Sequence, residues 1–331
     1  MDEVHREMAA RLAEGERGAV LLGSQAFMHP AFSTLCVLAD VVARAARVRL
    51  GFLTDGANAA GAWLAGAVPH REPGGQRAKG GLPALDQLTQ GRRAYLLLGV
   101  EPEYDSAAPA AASAALAAAE FVVAITPFRS EVMEGYAHVM LPVGPWTETG
   151  GTFVSGEGRW QSFQGVVPPR GEARPAWKVL RVLGNLCDVA GFDYLTVEEV
   201  RDELRARLGE VRPDNDTDWP CPSGLSPEEE GLVRIADVPC HAVDGVVRRA
   251  TALQQTPDAG RAAAAVHPDL ADRLGLQEGM PVLVRQGDWQ ATLPLTLDAR
   301  VPQNCVLVPQ GLRATRSLGL PGAGVELARI Q

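Results

Sequence analysis

Ala94-Tyr-Leu-Leu-Leu-Gly99, Phe121-Val-Val-Ala-Ile-Thr126 and His138-Val-Met-Leu-Pro142, with the alanine-rich run Ala107 to Ala119 between the first two, decide the fold. Each short run is apolar at successive positions instead of alternating with polar residues. Such a strand meets hydrophobic surroundings on both faces, as in a parallel sheet. The alanine run is long enough to carry the chain back as a helical crossover, which a parallel neighbour requires.

The same grammar holds upstream. Ala19-Val-Leu-Leu-Gly23 reads as a strand, Pro30 to Arg47 as a helix, Val48 to Thr54 as a strand and Asn58 to Leu64 as a short helix. The fold class predicted is α/β, a doubly wound parallel sheet with helices on both faces. Ligands of such sheets bind where the strands end, so Gly23-Ser24, Thr54-Asp55-Gly56, Gly99-Val-Glu101 and Thr126-Pro127 are expected to line a cleft. Downstream, residues 173–190 carry apolar positions at helical spacing. Thr196-Val-Glu-Glu199 is a capping box opening a second helix through Leu208, and both helices are expected to pack on the sheet.

Pro213 to Gly224, rich in proline and short polar side chains, reads as a linker. Beyond it, Ala263 to His267, Val282 to Arg285, Trp289 to Leu297 and Val306 to Val308 read as compact β structure with one inserted helix, Pro268 to Leu274. Three regions are expected: an α/β domain over 1–210, a linker or excursion over 211–260 and a β-rich domain over 261–331.

The 331 residues are 46% apolar, enough for ordinary cores, and a net charge of −9 without a long basic block argues against nucleic acid as a partner. No run of apolar residues is long enough to span a bilayer, and the polar start Met1-Asp-Glu-Val-His-Arg-Glu is no secretory signal. Cys36, Cys187, Cys221, Cys240 and Cys305 are scattered, with no C-x-x-C pair to grip a cluster or zinc ion. Cys221, Cys240 and His241 could converge on a metal only without that spacing, and free thiols are the expectation. No dinucleotide fingerprint, P-loop, G-x-S-x-G elbow or H-E-x-x-H pair occurs, which removes the usual routes to direct NADH binding, ATP chemistry and hydrolysis.

The segment Tyr136 to Lys178 is dense in glycine, carboxylates and arginine. Within it, Glu148, Thr152, Glu157 and Arg159 are the candidate residues of a vestigial cleft, with no cofactor binding assigned to them. The two glutamates could be read as an acid–base pair. Carboxylates beside glycine turns more commonly accept backbone N–H bonds or pair with a neighbouring arginine, so the segment is read as architectural, with no catalytic residue and no metal ligand assigned.

The phrases His138-Val-Met-Leu-Pro142-Val-Gly-Pro-Trp146-Thr-Glu148-Thr-Gly150-Gly-Thr152-Phe-Val-Ser155-Gly-Glu157-Gly158-Arg159, Gly56 to His70 and Asp244 to Thr256 resemble the molybdopterin-oxidoreductase family. Within it they look most like the large iron–sulfur, G-type subunit of NADH:quinone oxidoreductases, respiratory complex I. The stretch His267 to Val282 resembles the family's small C-terminal double-psi β-barrel. The resemblance implies a structural and assembly region that carries no cofactor itself. Iron–sulfur clusters would lie on an N-terminal part of the full subunit, so the chain reads as a C-terminal fragment. Implied partners are other peripheral-arm subunits of the complex on the cytoplasmic face of the inner membrane, without membrane insertion. The alternative is the C-terminal part of a molybdopterin-dependent oxidoreductase such as a formate dehydrogenase. Ser155 stands where catalytic relatives usually have asparagine, which weakens the inference of pterin binding.

Overall fold

The computed structural model describes residues 2–54, 56–210, 217, 219, 220 and 231–330. The chain opens with helix α1 (Glu3–Glu14), whose N-cap Asp2 accepts the His5 N–H. Strand β1 (Ala19–Leu22), helix α2 (Phe32–Ala46) and strand β2 (Arg49–Phe52) follow, and β1 and β2 pair in parallel. Helix α2 lays Ala39 and Ala43 on this pair, against Leu50, Val20 and Leu22; the spacing of four places them on one side of the helix. It ends at Arg47, in the left-handed region with φ 56°.

The three apolar runs around the alanine stretch form a second sheet. Strands β3 (Ala94–Leu98), β4 (Phe121–Thr126) and β5 (Val139–Pro142) run parallel in the order β3-β4-β5. Helix α3 (Pro109–Ala118) starts with proline in its first turn, where the missing N–H costs nothing. Its small alanines let it lie close to the strands. Tyr95, Leu97, Leu116, Val122, Ala124, Met133 and Tyr136 make the core here. Met133 belongs to the short helix Glu131–Glu134, which leads into β5.

Two expectations change. The five strands are divided between two sheets, β1-β2 and β3-β4-β5, instead of forming one. Between β2 and β3 come only short helices and turns, and among the described residues no strand bridges the two sheets. Nor is the second sheet covered on both faces. Its strands follow one another in sequence order, so the fixed handedness of parallel crossovers returns both connections on one side. The opposite face is left with Leu96, Leu98, Phe121 and Val139 exposed.

Strands β6 (Gly151–Val154) and β7 (Trp160–Phe163) form an antiparallel hairpin. Helices α4 (Ala176–Leu186) and α5 (Val197–Leu208) appear as predicted, and the Thr196–Glu199 capping box is formed in both directions. Their packing differs from expectation. Helix α5 buries none of its residues and leans on the hairpin instead of a parallel sheet, with Arg205 over the Trp160 ring at 4.7 Å and Arg201 donating to Ser162 Oγ at 3.3 Å. Its narrow apolar stripe, Val197, Val200, Leu204 and Leu208, is only half-buried, and charged residues fill most of the rest of the helix. Helix α4 leaves Val182 and Leu186 exposed.

The proline-rich 213–224 stretch lies largely outside the described residues. Thr217 donates to Asp40 Oδ1 at 2.7 Å, and Trp219 meets Phe52 edge-on at 6.3 Å. The C-terminal region is a curled mixed sheet in the order β13-β10-β11-β9-β12-β8. These strands are β8 (Val233–Ile235), β9 (Ala264–Val266), β10 (Pro281–Gln286), β11 (Trp289–Leu297), β12 (Cys305–Leu307) and β13 (Glu326–Arg329), with helix α6 (Pro268–Leu274) inserted. Strand β8 comes from within 211–260 and pairs in parallel with β12. Val266, Leu270, Val282, Val284, Leu293, Leu295, Val306 and Leu318 fill the largest core of the molecule. Gly275, with φ +64°, ends α6 in the left-handed conformation that a side chain would disfavour.

Candidate functional site: a cleft floored by an internal ion-pair cluster

Strands β3, β4 and β5 end at a cleft of about 280 Å³, lined among others by Gly99, Thr126, Val143, Trp146, Asp244 and Arg248. This is the place the topology of the sheet dictates. Gly99, with φ +63°, turns the chain out of β3. Two residues on, Glu101 sits almost wholly inside the protein, 4% exposed.

Opposite lies the 238–249 loop. Asp244 Oδ1 accepts the N–H groups of Val246 and Val247 at 2.7 and 2.9 Å, a local turn that starts the single 3-10 turn Val247–Arg249. That turn presents two consecutive guanidiniums to Glu101. Arg248 Nη2 donates to Glu101 Oε2 at 2.8 Å; Arg249 donates from Nη1 to Oε2 at 3.0 Å and from Nη2 to Oε1 at 2.5 Å. Arg248 Nη1 also reaches Asp105 Oδ1 and the Ala242 carbonyl, both at 2.8 Å, while Asp105 Oδ2 accepts the Glu101 backbone N–H at 2.7 Å. The Tyr104 ring lies 5.1 Å from the Arg248 guanidinium and the Phe128 ring 4.4 Å from that of Arg249.

The electrostatics follow from burial and pairing. Burial pushes the Glu101 carboxyl up, but the Arg249 and Arg248 guanidiniums outweigh it and hold the group below the usual carboxylate range. Burial pulls Arg248 down, yet Asp105 and Glu101 keep it above its ordinary value. Two residues from Glu101, Glu103 is 1% exposed; its Oε2 accepts the Tyr136 O–H at 3.1 Å and its Oε1 has no hydrogen-bond partner. Burial raises this carboxyl, reinforced by the charges of Glu101 and Asp105, against bonds from its own backbone and from Tyr136 that lower it. Adjacent carboxylates are thus driven in opposite directions, one by paired cations and one by their absence.

None of the four residues singled out in the sequence lines this cleft. Glu148 lies in a 3-10 turn and accepts the Arg170 N–H at 3.3 Å, an architectural bond. Thr152, on β6, shares a 2.9 Å hydroxyl contact with Ser162 on β7. Glu157 and Arg159 are exposed in the turn of that hairpin, and no ion pair joins them among the described residues. Glu101 carried a signal, standing in one of the strand-end turns. Arg248 and Arg249 stand in the family-like phrase Asp244 to Thr256, but nothing local shows that Arg248, 147 positions from Glu101, will meet that turn.

The cysteines make no cluster among the described residues. Cys36 is buried, which raises its thiol, whereas Cys187 is exposed at the end of α4. Cys240 donates to the Asp258 carbonyl, and His241 Nδ1 lies 3.0 Å from the Leu253 carbonyl and 3.2 Å from Thr256 Oγ1. Cys221 falls outside the described residues. No helix is long and apolar enough to cross a membrane among those described.

Parallel strands ending at a cleft, followed by a curled mixed sheet, define a mixed α/β protein whose cleft lies at its strand ends. The chain belongs to the molybdopterin oxidoreductase family, whose sequence profile matches residues 7–186. It is 36% identical over 195 residues to the G-type subunit of the NADH-quinone oxidoreductase of Mycobacterium bovis, covering 58% of this chain and 21% of that one. It is 26% identical over 226 residues to the F420-dependent formate dehydrogenase subunit alpha of Methanocaldococcus jannaschii, covering 60% of this chain and 33% of that subunit. The chain thus spans between about a fifth and a third of these relatives' lengths. Acetylene hydratase from Pelobacter acetylenicus shares the fold, with a TM-score of 0.50 at 18% identity over 72% of this chain and 41% of that one.

The family's name implies a molybdopterin, a phosphorylated and therefore anionic group. The cleft does not match such a ligand. Its charged lining is Glu101, Asp244 and Arg248, two carboxylates to one guanidinium. Both terminal nitrogens of Arg248 are engaged by carboxylates or a carbonyl, and the Thr126 hydroxyl is used within its own turn by Phe128. A phosphate entering this space would find its cationic donors already satisfied.

Proposed function

We propose that this chain is a cofactor-free structural and assembly region of the large iron–sulfur, G-type subunit of an NADH-quinone oxidoreductase. The observation that carries this reading is the cleft floor, where Arg248 and Arg249 are already paired with the buried Glu101 carboxylate. Electron transfer belongs in this reading to iron–sulfur clusters held elsewhere in the subunit and its complex. The chain's own contribution is packing. The bare face of the β3-β4-β5 sheet, with Leu96, Leu98, Phe121 and Val139 exposed, supports docking of further polypeptide from the peripheral arm, since parallel sheets are stable when both faces are covered. The fuller architecture proposed is a doubly wound domain over 1–210 and a double-psi β-barrel over 261–331, joined by 211–260, on the cytoplasmic face of the inner membrane without insertion.

The test is metal and pterin analysis of the purified complex that contains this subunit. Iron without molybdenum, and no fluorescent pterin on acid extraction, is expected. Stoichiometric molybdenum and pterin would overturn the reading and favour a molybdopterin-dependent enzyme of the formate dehydrogenase type.

A further inference from the structure

We propose that Arg248 and Arg249 form an anion site that the protein occupies with its own Glu101 carboxylate, so that the site is intact but masked. The two guanidiniums converge on one carboxylate from consecutive positions of a single 3-10 turn, making three hydrogen bonds to its two oxygens. This is the two-oxygen, multi-donor geometry by which arginines hold phosphate or carboxylate groups. Aromatic rings back both cations, Tyr104 behind Arg248 and Phe128 behind Arg249. The arginines also have fixed positions independent of Glu101: Arg248 is tied to Asp105 and the Ala242 carbonyl, and Arg249 to the Gly245 carbonyl at 3.0 Å. Taking away the Glu101 carboxylate would leave the pair in place with one anion missing.

Space on either side favours the same conclusion. The cluster forms a partition between the strand-end cleft and a second cavity of about 350 Å³ lined by Tyr104, His241, Gln254 and Arg313 together with Glu101 and both arginines. Three of the cavity's side chains are guanidiniums against the one carboxylate. Arg313 is exposed and has no ion pair among the described residues. A small phosphorylated or pyrophosphate-bearing anion is therefore the class of ligand the unmasked site would accept. In the native chain the same residues close the floor and exclude it. The inference rests on reading the cleft as cofactor-free.

The experiment uses the full chain, Glu101→Ala and the triple variant Glu101→Ala/Arg248→Gln/Arg249→Gln, titrated with inorganic pyrophosphate by calorimetry and followed by thermal unfolding. Wild type is expected to show no saturable binding. Glu101→Ala is expected to bind at least about tenfold more tightly than wild type, with affinity falling as salt rises, and the triple variant should lose that gain. If Glu101→Ala is insoluble alone, recovery of folded protein in pyrophosphate but not in an equal ionic strength of sodium chloride supports the masked site, and failure of that rescue overturns it. A folded Glu101→Ala that binds no pyrophosphate, or wild type that binds equally well, also overturns it. Molybdenum in the native complex would defeat the cofactor-free reading; absence of the pyrophosphate gain defeats only the masking.

Discussion

Replacing Arg248 by methionine isolates the more buried half of the cluster. The Arg248 side chain is 11% exposed and that of Arg249 33%, although both grip Glu101. Methionine keeps much of the aliphatic stem but removes bonds to Glu101, Asp105 and the Ala242 carbonyl. Neither carboxylate is left wholly without a donor. Glu101 keeps the two bonds from Arg249, and Asp105 keeps the Glu101 backbone N–H. The loss therefore falls short of the 3–5 kcal/mol for orphaning a buried charge and exceeds that of a surface pair, at about 2–3 kcal/mol. Arg249→Met removes a better solvated cation whose partner retains Arg248, so about 1 kcal/mol is expected. The double variant strands a carboxylate that is nearly inaccessible. Its loss should exceed the sum of the single losses by about 1–3 kcal/mol. Urea unfolding of the four proteins, followed by circular dichroism, reads this cycle directly. Additive losses within about 0.5 kcal/mol, or a larger loss for Arg249→Met than for Arg248→Met, would refute the account of Glu101 as a buried anion shared by two cations.

Other positions give sharper single tests. Burial holds the Glu103 carboxyl above its ordinary value of 4.5, so the folded chain retains the proton longer than the unfolded chain. Its stabilising contribution is complete below that value and is lost as pH rises through the folded pKa; Glu103→Gln should flatten this decline in urea midpoint, and an unchanged slope would contradict the assignment. Arg234 is fully buried in the C-terminal core, donates to Gln286 Oε1, the Gly319 carbonyl and the Val308 carbonyl, and is pulled down to about 10 by desolvation. Arg234→Met leaves those acceptors without their donor and should cost about 2–4 kcal/mol by urea unfolding, while a neutral result would show that water replaces the guanidinium. Thr196→Ala breaks the α5 capping box for about 1 kcal/mol of helix stability, seen as faster amide exchange of Glu198 and Glu199, because the helix N-terminus loses the side chain that satisfies its free N–H.

The sequence made some of this legible and not the rest, for physical reasons. Strands such as Phe121–Thr126 show themselves because continuous apolar character is a local requirement of burial, and the alanine crossover and the capping box are local as well. Strand pairing is not local. Nothing within Ala19–Leu22 or Ala94–Leu98 indicates that the two strands belong to different sheets. The candidate site shows the same limit more severely. The glycine- and carboxylate-rich hairpin draws the eye to Glu148, Thr152, Glu157 and Arg159, but such composition is also what tight turns need. The groups with strongly altered environments, Glu101 and Glu103, lie in an ordinary Glu-Pro-Glu stretch.

Why that stretch matters follows from the order of the sheet. Strand ends of a parallel sheet leave a depression, and guanidiniums converging on its floor invite an anion. Two chemical solutions exist: bind an anion from outside, or supply one from within. An external anion ties stability to its concentration, since a ligand stabilises only in proportion to its occupancy. An internal carboxylate is always present. Glu101 lies three residues beyond the end of β3, and Arg248 and Arg249 lie in the connection between β8 and β9 of the C-terminal sheet. The pairing therefore joins the α/β body to the C-terminal region, and the Gln310 side chain adds a second link by donating to the Ala107 carbonyl at 3.0 Å. A region that holds its two parts together without a bound ligand can act as a fixed support in a larger assembly. For that reason the Glu101 carboxylate, and not the conspicuous hairpin, is the group whose removal most directly separates a structural role from a ligand-binding one.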